Sequence, residues 1–78
     1  MRRRFTQNLA AYQQLLVRLR SLREGAGKNQ KDVASAINVS RSQYTALEQG
    51  RSMLTVDQLI SIARFYGTDV ATFLTGVL

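Results

Sequence analysis

The stretch from residue 30 to residue 49 contains two short amphipathic runs separated by only about three residues. So short a connection makes two helices cross steeply, and the contact point on the first must be small so that the backbones can approach. Ala34 meets that requirement. Asn38 lies at the break, where a residue with positive φ would end the first helix, and Asn tolerates that conformation better than most residues. The spacing therefore predicts a rigid helical corner.

Residues that start and stop helices recur along the whole chain and divide it into five predicted helices. An apolar stripe from Phe5 to Leu22 predicts a long first helix over about 6–24. No segment alternates with period 2, so we predict an all-α fold with an extended first helix. The expected capping residues are Asn29 for the second helix, Ser40 with Gln43 for the third, Thr55 with Gln58 for the fourth, and Thr68 or Asp69 for the fifth.

Composition narrows the classes of function. The chain has no His and no Cys, which removes the usual neutral-pH general base, disulfides and thiolate metal sites. Its five acidic residues lie far apart, so we expect no enzyme activity, no metal site and no cofactor. The net charge of +6 favours a polyanionic partner, above all nucleic acid. The alternative is that the net charge serves only to keep the protein soluble.

The length of 78 residues indicates one domain over 1–78, with residues 1–14 as an N-terminal extension. No apolar run approaches the ~18 residues that span a bilayer, so we expect a cytoplasmic protein with no membrane partner. No effector domain fits, and no small-molecule effector is expected. The Arg-rich, acid-free start leaves alternatives open: a transit peptide, an amphipathic helix on a membrane surface, a disordered start, or an arm in which Arg2, Arg3 and Arg4 reach a DNA groove.

The corner and its surroundings resemble the helix-turn-helix of the phage repressor family, the XRE-like group that includes Cro and the cI-type repressors. The resemblance covers residues 15–76 and rests on LVRLRSLRE, on Gln30 and Ala34, on VSRSQ and LEQG, and on LISIARFYGTDVATFLTG. Two features depart from the family pattern: Asn38 stands where Gly is usual, and residues 51–55 lack the common Pro. The resemblance implies a five-helix, lambda-repressor-like DNA-binding domain.

In that family the second helix of the pair lies in the major groove, with its N-terminal residues facing base edges. Arg41 is the strongest candidate for readout, because a bidentate pair with guanine gives ~1–3 kcal/mol of discrimination; a phosphate contact is its alternative. Gln43 also has a competing role in the capping box. The residues expected to face bases are Arg41, Ser42, Thr45 and Ala46, and those expected to contact phosphates are Gln30, Lys28, Lys31, Gln43, Gln49, Arg51 and Ser52.

Glu48 is an acidic residue on an otherwise basic surface, where an outward carboxylate would repel phosphate. We therefore expect it to point inward. The resemblance implies that its partner is Arg23, at the end of the first helix, in a partly buried ion pair that joins the first helix to the third.

A single recognition helix reads only a few base pairs, so we expect a homodimer. The uncharged end of the chain offers more apolar side chains than a core would use, and we expect the dimer interface at Val70, Phe73, Leu74, Val77 and Leu78. The function expected from these features is that of a sequence-specific regulator of transcription on a palindromic operator of double-stranded DNA. The alternative is an antitoxin-like module that binds a partner protein through its apolar C-terminal tail.

Overall fold

A computed structural model describes residues 9–76 of the chain. Within this range the chain forms five α-helices and no β-strand, which confirms the predicted all-α fold. The predicted start of the first helix lies outside the described residues, and its end differs from the prediction by one residue. The helices are α1 (Leu9–Gly25), α2 (Gln30–Ala36), α3 (Arg41–Glu48), α4 (Val56–Phe65) and α5 (Val70–Leu74).

The helix starts are fixed by side chains that bond to backbone N–H groups, because the first turn of a helix leaves these donors without intrahelical partners. Helices α2, α3 and α4 each begin with a complete capping box, in which the cap and the third helical residue bond reciprocally. Asp69 caps α5 through Thr72 N–H. The capping boxes are Asn29 with Asp32, Ser40 with Gln43, and Thr55 with Gln58.

The corner between α2 and α3 depends on Asn38, which has a φ of 60°. This left-handed residue turns the chain so that Val39 N–H donates back to Ala34 O at 3.0 Å. Ala34 is fully enclosed where the two helices meet, and Tyr44 of α3 is buried against the same core. The small contact residue and the Asn at the turn therefore act as the sequence predicts.

All five helices contribute to the core, and α2, which packs on α3 and α4, supplies Val33 and Ala34. Phe73 is a core residue with only 1% of its surface exposed, so the prediction that it belongs to a dimer interface is wrong. Packing against helices of its own chain leaves it no surface for a second subunit. Val70 and Leu74 are half-buried against the same core. Val77 and Leu78 lie outside the described residues.

Two side chains of α1 connect it to distant parts of the chain. The Tyr12 hydroxyl accepts the N–H of Leu54 at 2.9 Å and so fixes the Pro-free segment between α3 and α4. Arg18 donates to the carbonyl of Phe73 at 3.0 Å and also to that of Thr75, at the C-terminus of α5. None of the helices in residues 9–76 has the length and apolarity that crossing a membrane would require.

Candidate nucleic-acid interface

The N-terminal half of α3 presents polar side chains on one open surface. The capping box at Ser40 starts the helix where Arg41 and Ser42 are exposed. The steep corner then brings the start of α2 beside this edge. Five of the predicted DNA-contacting residues line a single open depression there: Gln30, Arg41, Ser42, Thr45 and Arg51.

Gln30 is held in one orientation by α3. Its Oε1 accepts a hydrogen bond from the Thr45 hydroxyl at 2.8 Å, and its Nε2 donates to Glu48 Oε1 at 3.2 Å. The amide therefore keeps one N–H for an external acceptor such as a phosphate oxygen. It lies at the start of α2, where the helix dipole also attracts an anion.

Thr45 has a structural contact that the sequence does not reveal. It is half-buried, and its hydroxyl lies 2.8 Å from Gln30 Oε1 and 2.9 Å from Arg41 O, with a single proton to donate. The hydroxyl is thus engaged within the protein, by Gln30 Oε1 and Arg41 O, at a position predicted to face a base. Thr45, one of the residues predicted to face bases, therefore also orients the side chain of Gln30.

Ala46 is buried, with 9% of its surface exposed, so the prediction that it faces a base is wrong. The segment after α3 folds back toward this residue: the N–H groups of Arg51 and Ser52 both donate to Ala46 O, at 2.8 and 3.2 Å. These bonds close the C-terminus of α3, as the N–H of Val39 does at the end of α2. The set of exposed residues that could face a base is consequently smaller than predicted.

The structure brings together the ion pair that the resemblance implied. Arg23 Nε lies 2.8 Å from Glu48 Oε2, and Arg23 Nη2 donates to Glu48 Oε1 at 3.0 Å, which makes the pair bidentate. The side chains are 12% and 4% exposed, respectively. Arg23 Nη1 also donates to Lys28 O at 3.2 Å, so the same guanidinium fixes the α1–α2 connection.

The surroundings of Glu48 keep it ionised. Burial on its own would raise the pKa of the Glu48 carboxyl, but the hydrogen bonds it accepts, first among them that from Arg23, outweigh burial and lower the pKa. The hydrogen bond with Glu48 correspondingly raises the pKa of Arg23. The Tyr44 hydroxyl is buried beside this carboxylate without a hydrogen bond of ordinary geometry, and burial raises its pKa. Glu48 thus stays charged but is shielded from the surface.

Gln43 and Ser52, both predicted phosphate contacts, line a second shallow depression next to the first. Gln43 Oε1 accepts Ser40 N–H at 2.9 Å, as the capping box requires. The same geometry directs the Gln43 amide nitrogen away from the cap, where it can donate to a phosphate. The capping role and the phosphate role are therefore compatible.

The remaining predicted phosphate contacts are distributed around this surface. Arg51 Nε donates to Gln49 Oε1 at 2.9 Å, so these two residues at the end of α3 form one unit. Lys31 is exposed on α2. Lys28 differs, since its Nζ lies 5.9 Å from the centroid of the Phe65 ring at the end of α4. The structure does not place Lys28 in the depression.

Comparison with known proteins places this geometry in a family. The family model described as a helix-turn-helix domain matches residues 14–73. The HTH-type transcriptional regulator DdrOP3 of Deinococcus deserti is 40% identical over 63 residues, which cover 81% of this chain and 49% of the relative. The cryptic phage CTXphi transcriptional repressor RstR of Vibrio cholerae is 33% identical over 54 residues, which cover 69% of this chain and 49% of the relative.

The chain thus spans about half the length of the curated relatives it matches. No solved structure matches it significantly. The matched residues run from the first helix into the last, and Arg23, the corner, the capped third helix and Glu48 all lie among them. On this basis the chain belongs to the helix-turn-helix family of the Cro and cI repressor type.

Proposed function

We propose that the chain binds double-stranded DNA sequence-specifically, as a homodimer on a palindromic operator in the cytoplasm, and thereby represses transcription. The observation that carries this proposal is the open depression at the start of α3, where Arg41 and Ser42 are exposed beside the oriented amide of Gln30. The names of the two relatives, a transcriptional regulator and a transcriptional repressor, support the regulatory role.

Each side of the depression has its own chemistry. Arg41 is the base-reading residue, because its guanidinium is exposed at the tip of α3 and can donate two parallel bonds to the O6 and N7 atoms of guanine. Ser42 is permissive, since a hydroxyl can donate or accept. Gln30 on one side, and Arg51 with Gln49 on the other, hold the phosphates that flank the groove. Glu48, the acidic residue of α3, is turned inward and leaves this face without its charge.

Selection of bound sites from random duplex DNA tests the proposal. We expect enrichment of two inverted half-sites whose centres lie about one helical turn apart, near 34 Å. The variant Arg41→Ala should lose about 1–3 kcal/mol of binding free energy and relax selection at one base position in each half-site. Arg20→Ala is the matched control, because it removes the same charge from an exposed site on α1.

Two outcomes would overturn the proposal: no enriched sequence, or equal binding by Arg41→Ala and Arg20→Ala. Salt provides an independent measurement. A dimer that neutralises about eight phosphates should show a slope near −7 in log affinity against log salt concentration. An affinity that does not change with salt would argue against phosphate contacts altogether.

The alternative function, binding of a partner protein through the C-terminal tail, has less support than the sequence suggested. Phe73, the largest apolar side chain of that tail, is enclosed in the core. Val70 and Leu74 are partly covered as well, so the described part of the tail offers little apolar surface.

A further inference from the structure

Helix α4 carries apolar side chains on a side that no other described element covers. Val56 is 72% exposed and Ile60 is 37% exposed, and their spacing of four residues puts them on one face. The core side of the same helix is formed by Leu59, Ile62 and Ala63, all of which are buried. Burial of the core therefore does not explain why Val56 and Ile60 are apolar.

Two charges of opposite sign flank this apolar face. Asp57 follows Val56 at the start of α4, and Arg64 lies one turn beyond Ile60 at its end. Both are exposed, and neither forms an ion pair with another residue in the range 9–76. We name Val56, Asp57, Ile60 and Arg64 the α4 face.

The α4 face is complementary to itself. Consider two copies packed with their α4 helices antiparallel and a two-fold axis at Ile60. Asp57 lies three residues before Ile60, and Arg64 lies four residues after it. The two-fold axis therefore brings Asp57 of one copy next to Arg64 of the other copy. The two-fold symmetry repeats this pair at the other end of the contact. A parallel arrangement would instead set like charges side by side.

We propose that a second copy of this chain docks on the α4 face, with Ile60 at the two-fold axis and an Asp57–Arg64 pair at each end. This inference rests on the proposed homodimer and moves its interface from the C-terminal tail to α4. A contact of so few side chains is smaller than the roughly 1,200–2,000 Å² of a stable interface. The dimer is therefore weak in free solution, and an operator with two half-sites strengthens it by holding two copies close together.

Crosslinking through Ile60→Cys tests the position of the axis. The chain has no cysteine, so the variant carries a single thiol. At a two-fold axis the two Cβ atoms come within about 4 Å, the distance that a disulfide requires. We expect rapid formation of a covalent dimer on mild oxidation of the full chain. The control is Val17→Cys on α1, whose side chain is 63% exposed and so more accessible to random collision than Ile60.

Charge exchange tests the two ion pairs. Asp57→Arg alone and Arg64→Asp alone each turn both contacts repulsive, and each should weaken self-association by about tenfold or more. An equimolar mixture of the two variants should recover it, because both contacts are attractive again in the mixed dimer. The mixture contains the same folded chains, so any cost of either substitution to folding is the same before and after mixing. Sedimentation equilibrium measures all three samples.

The interface is wrong if Ile60→Cys crosslinks no faster than Val17→Cys, or if mixing the charge variants leaves them monomeric. These results would leave the proposed function standing provided that the unmodified chain still selects a palindrome from random DNA. Failure to select any sequence would instead overturn the proposed function, whatever the crosslinking shows. Equal crosslinking at both cysteines would mean collision without a defined interface.

Discussion

Arg23→Ala should lower the stability of the domain far more than loss of one surface charge would. The substitution removes two hydrogen bonds, of 2.8 and 3.0 Å, from a carboxylate whose side chain is 4% exposed. Among residues 9–76, Glu48 would then keep a hydrogen bond from Gln30 alone, at 3.2 Å. A buried charge that loses its partner cannot recover the lost interaction from water. The loss in free energy of unfolding is therefore much larger than the net contribution of the intact pair.

The magnitude follows from the burial of the pair. Breaking a well-buried pair costs about 3–5 kcal/mol, against a total stability of roughly 5–15 kcal/mol for a small domain. For a chain of this size, about 3 kcal/mol corresponds to a fall in Tm of roughly 12–24 °C. Protonation of Glu48 would relieve the isolated charge, which favours the lower end of the range at neutral pH.

Thermal unfolding followed by circular dichroism measures the effect, and the matched control is Arg20→Ala. Arg20 lies on the same helix and pairs with Glu24 at 3.6 Å, but these side chains are 66% and 59% exposed. An exposed pair of this kind contributes at most about 1 kcal/mol, so the control should unfold within a few degrees of the unmodified chain. Equal Tm values for the two variants would refute the reasoning from burial.

A double-mutant cycle separates the pair from the packing of the Arg23 side chain. Glu48→Gln keeps the shape of the acceptor and removes its charge. If the ion pair dominates, Arg23→Ala should cost markedly less in the Glu48→Gln background than in the unmodified chain. Equal costs in both backgrounds would mean that Arg23 acts through its alkyl chain alone.

Two further predictions concern pH and the corner. Because the pKa of Glu48 is lowered below its ordinary 4.5, the ion pair contributes fully above that pH and is lost as the pH falls through the lowered pKa. Urea midpoints of the unmodified chain and of Glu48→Gln should therefore differ at neutral pH and converge in acid; a constant difference would contradict the pairing. Hydrogen bonds from Thr72 also lower the pKa of Asp69. Both chains contain Asp69, so its titration does not contribute to the difference between their urea midpoints. At the corner, Asn38→Ala should cost about 1–2 kcal/mol because of the positive φ, whereas Asn38→Gly should be nearly neutral in the same urea titration; equal stability of Asn38→Ala and the unmodified chain would contradict this.

The sequence predicts those parts of the fold that depend on neighbouring residues. Capping boxes join residues three apart, so Ser40 with Gln43 and Thr55 with Gln58 can be identified from the sequence alone, and the structure contains both. The turn at Asn38 is local in the same sense. The inward direction of Glu48 follows from its charge, because an unpaired carboxylate on a DNA-binding face would repel the phosphates of DNA.

The errors and omissions involve contacts between residues far apart in the chain. Ala46 is buried in the folded domain, and no pattern among its sequence neighbours indicates this. Phe73 is one of several apolar residues in the tail, and only the position of α5 against α1 and α4 selects it for the core. The bond between Thr45 and Gln30 joins two helices across the corner, so its geometry depends on how the corner packs.

The carboxylate of Glu48 connects the stability of the domain to its candidate DNA-binding surface. It accepts bonds from Arg23 on α1 and from Gln30 on α2, and so ties both helices to α3. The bond to Gln30 also decides which way that amide faces, and hence where its remaining N–H can meet a phosphate. A change at Arg23 therefore reaches the proposed phosphate contact without touching DNA. A loss of DNA affinity in Arg23→Ala would therefore have two causes, the changed orientation of Gln30 and the smaller fraction of folded protein. Comparison with a Gln30→Ala variant at equal folded fraction separates these two causes.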